Sequence, residues 1–238
     1  MIQSDQEPRS PAHNLHAPST PQRIFLALAV AGCVAISWWL LFAGGAAVIA
    51  GWTGRTWLAG NLTRRLALAL GLTIYFLRLL FTLFGFFRRA VRWGEAVFVA
   101  VWILFIYLVL SLACAANVHP FGIAAGIGIA LFLIGSWMNS WAEYQRHLWK
   151  QFPQNRGHLY TGGLFRLCRH PNYLGDLLSF SGLALIAGQW IAAIIPAIML
   201  LGFVFANIPM LDAHLAEHYG QEFTAYARRT RKLVPFVY

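Results

Sequence analysis

Charge is scarce in this sequence. Only 11% of its 238 residues are charged and 59% are hydrophobic, whereas a soluble domain carries about 25% charged residues. That leaves too little polar surface for a water-soluble globule, and the mean hydropathy of +0.59 agrees. Acidic residues are scarcer still, eight against eighteen basic ones, for a net charge of +10. Such an excess invites a nucleic-acid reading. The basic residues, however, gather at the ends of apolar runs, where they set topology and meet anionic lipid. Nucleic acid is therefore not expected as a partner.

Cysteine is also rare. Cys33, Cys114 and Cys168 form no CxxC pair, which argues against a disulfide framework and a zinc site. Cys168 adjoins Arg169 and His170, and packing is the expectation for it. No cleavable signal peptide is expected at the start of this sequence. Residues 1–23 are polar and hold Pro8, Pro11, Pro18 and Pro21, so they read as a disordered tail. Residues 24–238 read as a single integral membrane domain.

Long apolar runs are what the sequence does have. A bilayer crossing needs about 20 largely apolar residues. Runs extend from Ile24 to about Ala50, Leu66 to Phe87, Ala96 to Ala116 and Phe121 to about Met138. A polar stretch, Asn139–Tyr173, interrupts. Leu174–Ile208 is apolar again and long enough for a helical hairpin with Gly188-Gln189 at its tip. The fold class follows: an all-α polytopic membrane bundle of about six transmembrane helices. The first run is long for one span, so a re-entrant piece near Gly44-Gly45 would alter the count. Arg88, Arg89 and Arg92, the cations between Arg146 and Arg169, and Arg228–Lys232 all fall on one side. That side is expected to be cytoplasmic, with both termini, in a bacterial inner membrane. Arg55, Arg64 and Arg65 fall opposite and weaken the rule.

Polar chemistry gathers in the interruption and the C-terminal tail. Asn139, Glu143, Arg146 and Lys150 share roughly one helical face at the exit of the fourth run. This is either a site or an ordinary polar helix end. Thr161-Gly-Gly-Leu-Phe-Arg166 supplies paired glycines, suited to a turn that brings backbone amides to a ligand or to a plain loop. The sharpest stretch is Arg169-His170-Pro171-Asn172-Tyr173-Leu-Gly175-Asp176. Pro171 suits a helix start, and Asn172 and Asp176 would then share a face. Asp176 would lie inside a membrane helix, where acids are paired or line a cavity. Its structural alternative is a pair with Arg169 or Arg146.

The tail, Met210–Tyr238, carries Asp212, Tyr219, Arg228 and Arg231. It reads either as an amphipathic helix on anionic lipid or as a closure for a basic, phosphate-binding pocket. Histidines 147, 158, 170, 214 and 218 lack ligand spacing, and no metal site is expected. Arg78 stands near the middle of the second run and Glu95 at the start of the third. Both are candidates for a substrate pocket. Arg78 needs a partner or a cavity, and Asp176 is a candidate partner.

Asn139-x3-Glu143, Gly163-Leu-Phe, Pro171-Asn-Tyr-x-Gly-Asp176, Tyr219 and the closing Arg231-Lys-Leu-Val-Pro-Phe resemble the steroid 5-alpha-reductase C-terminal-like membrane family. The resemblance covers about 135–238. It implies an NADPH-dependent membrane reductase that passes hydride to a conjugated double bond of a sterol-like or isoprenoid substrate. It also implies that Asn139, Glu143, Lys150, Asn172, Asp176 and Tyr219 bind the nucleotide. Beside that resemblance, Arg146, Arg169, His170, Tyr173, Arg228 and Arg231 are further candidates for the cofactor site, with Lys150, Arg169, Arg228 and Arg231 suited to its phosphates. Aspartate is usual in the family where Glu143 stands, and glutamate where Asp176 stands. The family's substrate-polarising tyrosine and glutamate find no secure match, so the catalytic residues stay unassigned. Arg169-His-Pro-Asn-Tyr-x-Gly also resembles the isoprenylcysteine carboxyl methyltransferases and phospholipid methyltransferases, which implies S-adenosylmethionine instead. A cofactor-free membrane scaffold is the third reading. In every case the expected partners are membrane lipids, and for the enzymes a lipophilic small molecule.

Overall fold

The structure, a computed structural model, describes residues 19–54, 59–86 and 90–238. The expected disordered tail falls largely outside them, as do Arg55, Arg88 and Arg89. Within them the regular structure is all helix, with no strand among the described residues. Helix α1 (Thr20–Phe42) begins four residues before its apolar run, so Thr20–Arg23 belong to the first span and not to the tail. Pro21 sits in its first turn, where a missing N–H costs nothing. After α1 the chain turns at Gly44, whose φ of 81° is left-handed. The eight-residue α2 (Gly45–Trp52) follows, so the long first run is indeed broken at Gly44-Gly45.

Helix α3 (Leu62–Phe81) is capped by the Asn61 side chain, which accepts from the Arg64 N–H at 3.1 Å, and ends in a π turn, Thr82–Phe86. Helices α4 (Trp93–Ala115) and α5 (Ile123–Gln151) follow. Helix α6 (Pro171–Ala187) starts on its proline and stops at Gly188, left-handed with φ 70°. The hairpin tip therefore lies where the sequence indicated. The return rod, Trp190–Tyr219, contains α7 (Ile194–Gly202), a π turn at Phe203–Asn207 and α8 (Ile208–Tyr219). Pro209 cannot donate to the carbonyl one turn back, and the π turn just before it takes up the mismatch. A short α9 (Gln221–Arg229) completes the chain.

Five of these helices are long and apolar enough to cross a membrane. The sixth expected crossing, α6, has 17 residues, about 26 Å of helix, at the short end of the spanning range. Large apolar side chains such as Leu28, Phe98, Val101, Ile123 and Phe205 face outward, as lipid contact requires. The core, with Leu68, Tyr107, Leu110, Phe180 and Leu183 fully buried, lies where α1, α3, α4 and α6 meet.

Two features of this packing position the site. First, α5 and α6 run antiparallel at glycine-only distance. A Cβ on Gly128 would lie 2.6 Å from the Gly182 carbonyl, and one on Gly175 would lie 2.7 Å from that of Gly135. Small residues let the backbones touch, the usual device where lipid offers no hydrophobic drive. Second, Arg64 and Arg65 at the opposite end are held by main-chain carbonyls. Arg64, only 6% exposed, donates to the Ile186 carbonyl at 2.6 Å and to that of Pro120 at 3.0 Å. Asn117 donates to the Ala187 carbonyl at 3.0 Å. Arg65 donates to the Leu41 carbonyl at 2.6 Å. Unsatisfied carbonyls and the negative end of the dipole hold these cations, so Arg64 and Arg65 have a structural role there.

Candidate functional site

The site lies where the glycine contacts bring the polar end of α5 against the start of α6. Asn139 donates from Nδ2 to the Asn172 carbonyl at 3.0 Å. Asn172 donates in turn to Glu143 Oε1 at 3.3 Å. Arg146 ion-pairs with the other Glu143 oxygen. One turn into α6, Asp176 Oδ1 accepts from Arg78 Nη2 at 2.8 Å. Arg78 also lies over the Tyr75 ring, 4.8 Å from its centroid. Its Nη1 is buried and has no hydrogen-bond acceptor. Asp176 therefore pairs with Arg78, and not with Arg169 or Arg146. Glu95 sits in the first turn of α4 and is not the partner of Arg78.

Arg169 and His170 have a different setting from their neighbours. Asp212, on α8, accepts from Arg169 Nη1 at 2.9 Å and lies 3.0 Å from His170 Nε2. His170 is 2% exposed and stacks on Tyr173, which stacks on Phe203 with centroids 4.6 Å apart. The loop before α6 is tied to the tail by its backbone. The N–H groups of Arg169 and His170 donate to the carbonyls of Arg231 and Lys232 at 2.8 and 3.1 Å. The buried Tyr226 hydroxyl donates to the Phe165 carbonyl at 2.6 Å, and Arg169 lies over the Phe223 ring. The tail therefore folds against the polar loop and does not lie free on lipid. Burial pushes the Cys168 thiol up to about 11 and raises the Tyr226 phenol as well. Cys168 is thus a packed thiol, fully buried.

Gly163 adopts a positive φ of 53°, and the Gln145 amide occupies the space a side chain would need. Gln145 Oε1 accepts from the Leu164 N–H at 3.2 Å, so the paired glycines dock the loop on α5. Tyr219 ends α8 within electrostatic reach of Arg146 and Glu222. Lys150, Arg228 and Arg231 are exposed. Beside the polar stripe of α5, one residue round the helix, Trp137, Ser140, Trp141 and Tyr144 form with Phe81 of α3 an apolar groove of about 210 Å³.

Sequence reasoning did not assign roles to Asp212, Gln145, Tyr226 or Phe203. It also missed the glycine contacts, although the seven-residue spacing of Gly128 and Gly135 on one helix, and of Gly175 and Gly182 on the other, signals a packed stripe.

An all-α polytopic membrane bundle with ionisable groups buried where two helices meet belongs to the class of membrane-embedded proteins with an internal polar site. Residues 95–230, more than half of the chain, match the family described as protein of unknown function (DUF1295), and the chain belongs to that family. It is a membrane protein of the superfamily that joins steroid reductase-like proteins and isoprenylcysteine methyltransferases. It is 38% identical over 89 residues to the probable O-methyltransferase ustE of Ustilaginoidea virens, covering 37% of this chain and 31% of that protein. It is 32% identical over 91 residues to protein-S-isoprenylcysteine O-methyltransferase B of Arabidopsis thaliana, covering 38% and 46%. It is 31% identical over 122 residues to steroid 5-alpha-reductase DET2 of Solanum lycopersicum, covering 50% and 44%. The chain spans under half the length of each of these three relatives.

Proposed function

We propose that this chain is a membrane-embedded reductase that takes NADPH at its polar end and reduces a conjugated double bond of a lipophilic substrate. One observation carries the reading: Asn139 and Glu143 at the exit of α5 bond Asn172 at the entry of α6, with Asp176 one turn further. These are the positions to which the reductase resemblance assigns the nucleotide. Uncharged amides and a carboxylate suit the amide and ribose hydroxyls of a pyridine nucleotide. The exposed cations Lys150, Arg228 and Arg231 suit its phosphates. When bound, NADPH supplies the hydride. The residues here would hold it at the polar end of the bundle, where α5 leaves and α6 begins. Arg169 drops out of the phosphate-binding set, because Asp212 already neutralises it. The polar end faces the cytoplasm in this reading.

That same Arg169–Asp212 pair favours a second reading. It removes one cation that a dinucleotide would use and S-adenosylmethionine would not, and two of the relatives above are named as methyltransferases. Titration of NADPH and S-adenosylmethionine into the purified protein, followed by calorimetry, separates the two. The reductase reading expects saturable NADPH binding that is tighter than that of S-adenosylmethionine. S-adenosylmethionine binding alone would move the assignment to methyl transfer. Binding of neither by folded protein would favour a scaffold.

A further inference from the structure

Beyond α9 the chain forms a hook that the cofactor reading does not use. The Leu233 and Val234 N–H groups donate to the Tyr238 main-chain oxygen at 2.7 and 2.9 Å, and the Val237 N–H donates to the Val234 carbonyl at 3.1 Å. Residues 234–237 are thus a tight turn with Pro235 at its first corner and Phe236 at its second. Phe236 has a φ of 67° and is the sole non-glycine residue with positive φ among the described residues. Proline at the first corner and a left-handed residue at the second is the type II pattern, where glycine or asparagine normally takes the second place. An aromatic residue there is strained, and strain of this kind gathers at functional segments. The base of the hook, Leu233, is fully buried, whereas Phe236 is 89% exposed and Val237 is 75% exposed. The fold therefore pins the hook and turns two apolar side chains outward.

Depth and charge say what covers them. The Arg231 and Lys232 carbonyls accept from the N–H groups of Arg169 and His170, the two residues just before Pro171 opens α6. At 17 residues α6 has none to spare for a crossing, so its first residue stands at the edge of the hydrocarbon. The hook springs from the residue after Lys232, and its tip lies three residues from its base, at most about 10 Å. The headgroup layer on each face of a bilayer is of similar depth, about 5–8 Å. Around the hook, Arg228, Arg229 and Arg231 are exposed. Lys232 is half-buried, its Nζ 4.9 Å from the centre of the Tyr238 ring. No acidic residue lies within 223–238, and Glu222 is turned to the Leu159 N–H and to His158. An apolar tip among unopposed cations matches the surface of an anionic leaflet, where aromatic rings sit at headgroup level and cations meet lipid phosphate. We propose that the hook, residues 233–238, docks on anionic phospholipid beside the entry of α6, with Phe236 and Val237 in the interface and Arg229 and Lys232 against lipid phosphates. The backbone still ties this segment to the polar loop, so the lipid is a second hold on it.

The test uses the full chain in nanodiscs, without cofactor. Val237→Cys, in a background with Cys33, Cys114 and Cys168 replaced by alanine, carries a bimane fluorophore. The lipids carry a nitroxide quencher near the top of the acyl chain. Quenching in phosphatidylcholine with one-third phosphatidylglycerol should be at least twice that in phosphatidylcholine alone. Salt at about 0.5 M, where the screening length is about 4 Å, should abolish the difference. Arg229→Gln/Lys232→Gln should bring the two lipids to the same level. Phe236→Asn suits the left-handed turn, so the thermal midpoint should not fall, yet quenching in the anionic nanodiscs should drop at least twofold. Negligible quenching, or equal quenching in the two lipids, would overturn the proposal. So would unchanged quenching in either folded variant. Should a variant fail to fold, the comparison of lipids on the labelled parent still decides. Every arm omits the nucleotide, so failure here leaves the reductase reading standing.

Discussion

Arg78 on α3 bonds Asp176 on α6 at 2.8 Å, across 98 residues of sequence and inside the bundle. This ion pair ties the segment before the family-matched region to the entry of the site helix. Removing one partner strands the other charge. Arg78→Leu should cost about 3–5 kcal/mol, read as a lowered thermal midpoint in detergent. The double variant Arg78→Leu/Asp176→Leu should regain much of that loss, because an apolar pair carries no stranded charge. An unchanged midpoint for Arg78→Leu alone would show that the pair contributes nothing to stability.

Glycine contacts between α5 and α6 hold Asn139 against Asn172. Gly135→Ala should force the helices apart, because its methyl would meet the Gly175 carbonyl and Ser179. Overpacking of this kind costs about 1–3 kcal/mol, and cofactor binding should weaken with it. Gly126→Ala on the same helix meets nothing within 4 Å and should be neutral or stabilising, by up to about 1 kcal/mol. Equal melts for the two variants would refute the close-contact account.

Asn172 links both sides of the polar cluster: its main-chain carbonyl accepts from Asn139, and its side-chain amide, the part an alanine removes, donates to Glu143. Asn172→Ala should weaken NADPH binding at least tenfold, about 1.4 kcal/mol, in a calorimetric titration. The shift in thermal midpoint should be small, since the residue is only partly buried. Undiminished affinity would take the nucleotide away from this cluster.

Cys168 should resist alkylation at pH 7.5 in folded protein, because burial holds its thiol at about 11. The neutral thiol is the form the fold favours. Its contribution to stability is therefore complete below about 8.5, the unfolded value, and is lost as pH rises through about 11. The stability gap between wild type and Cys168→Ala should narrow over that window. A gap that stays constant from pH 8 to pH 11 would contradict the assignment.

Orientation is tested by a single cysteine at Gln154 or Asn155 in a cysteine-free background. An impermeant maleimide applied to intact cells should leave it unlabelled, and labelling should appear after lysis. Strong labelling from outside would put the polar loop on the wrong face for a cytoplasmic nucleotide.

The sequence by itself determined the class of the protein, its apolar spans, the hairpin tip at Gly188 and the shared face of Asn139 and Glu143. Each of these is local. A long apolar run must leave water wherever its neighbours go, and residues four apart share a helix face in any fold. Tertiary structure alone decided among partners. It gave Asp176 to Arg78 in preference to Arg169 or Arg146. It assigned Arg169 and His170 to Asp212, and Arg64 and Arg65 to the carbonyls that end α6 and α1. The partner of a buried charge depends on which helices come into contact. Here that contact is set by Gly128, Gly135, Gly175 and Gly182, whose role lies in the backbone approach they permit and carries no hydropathy signal.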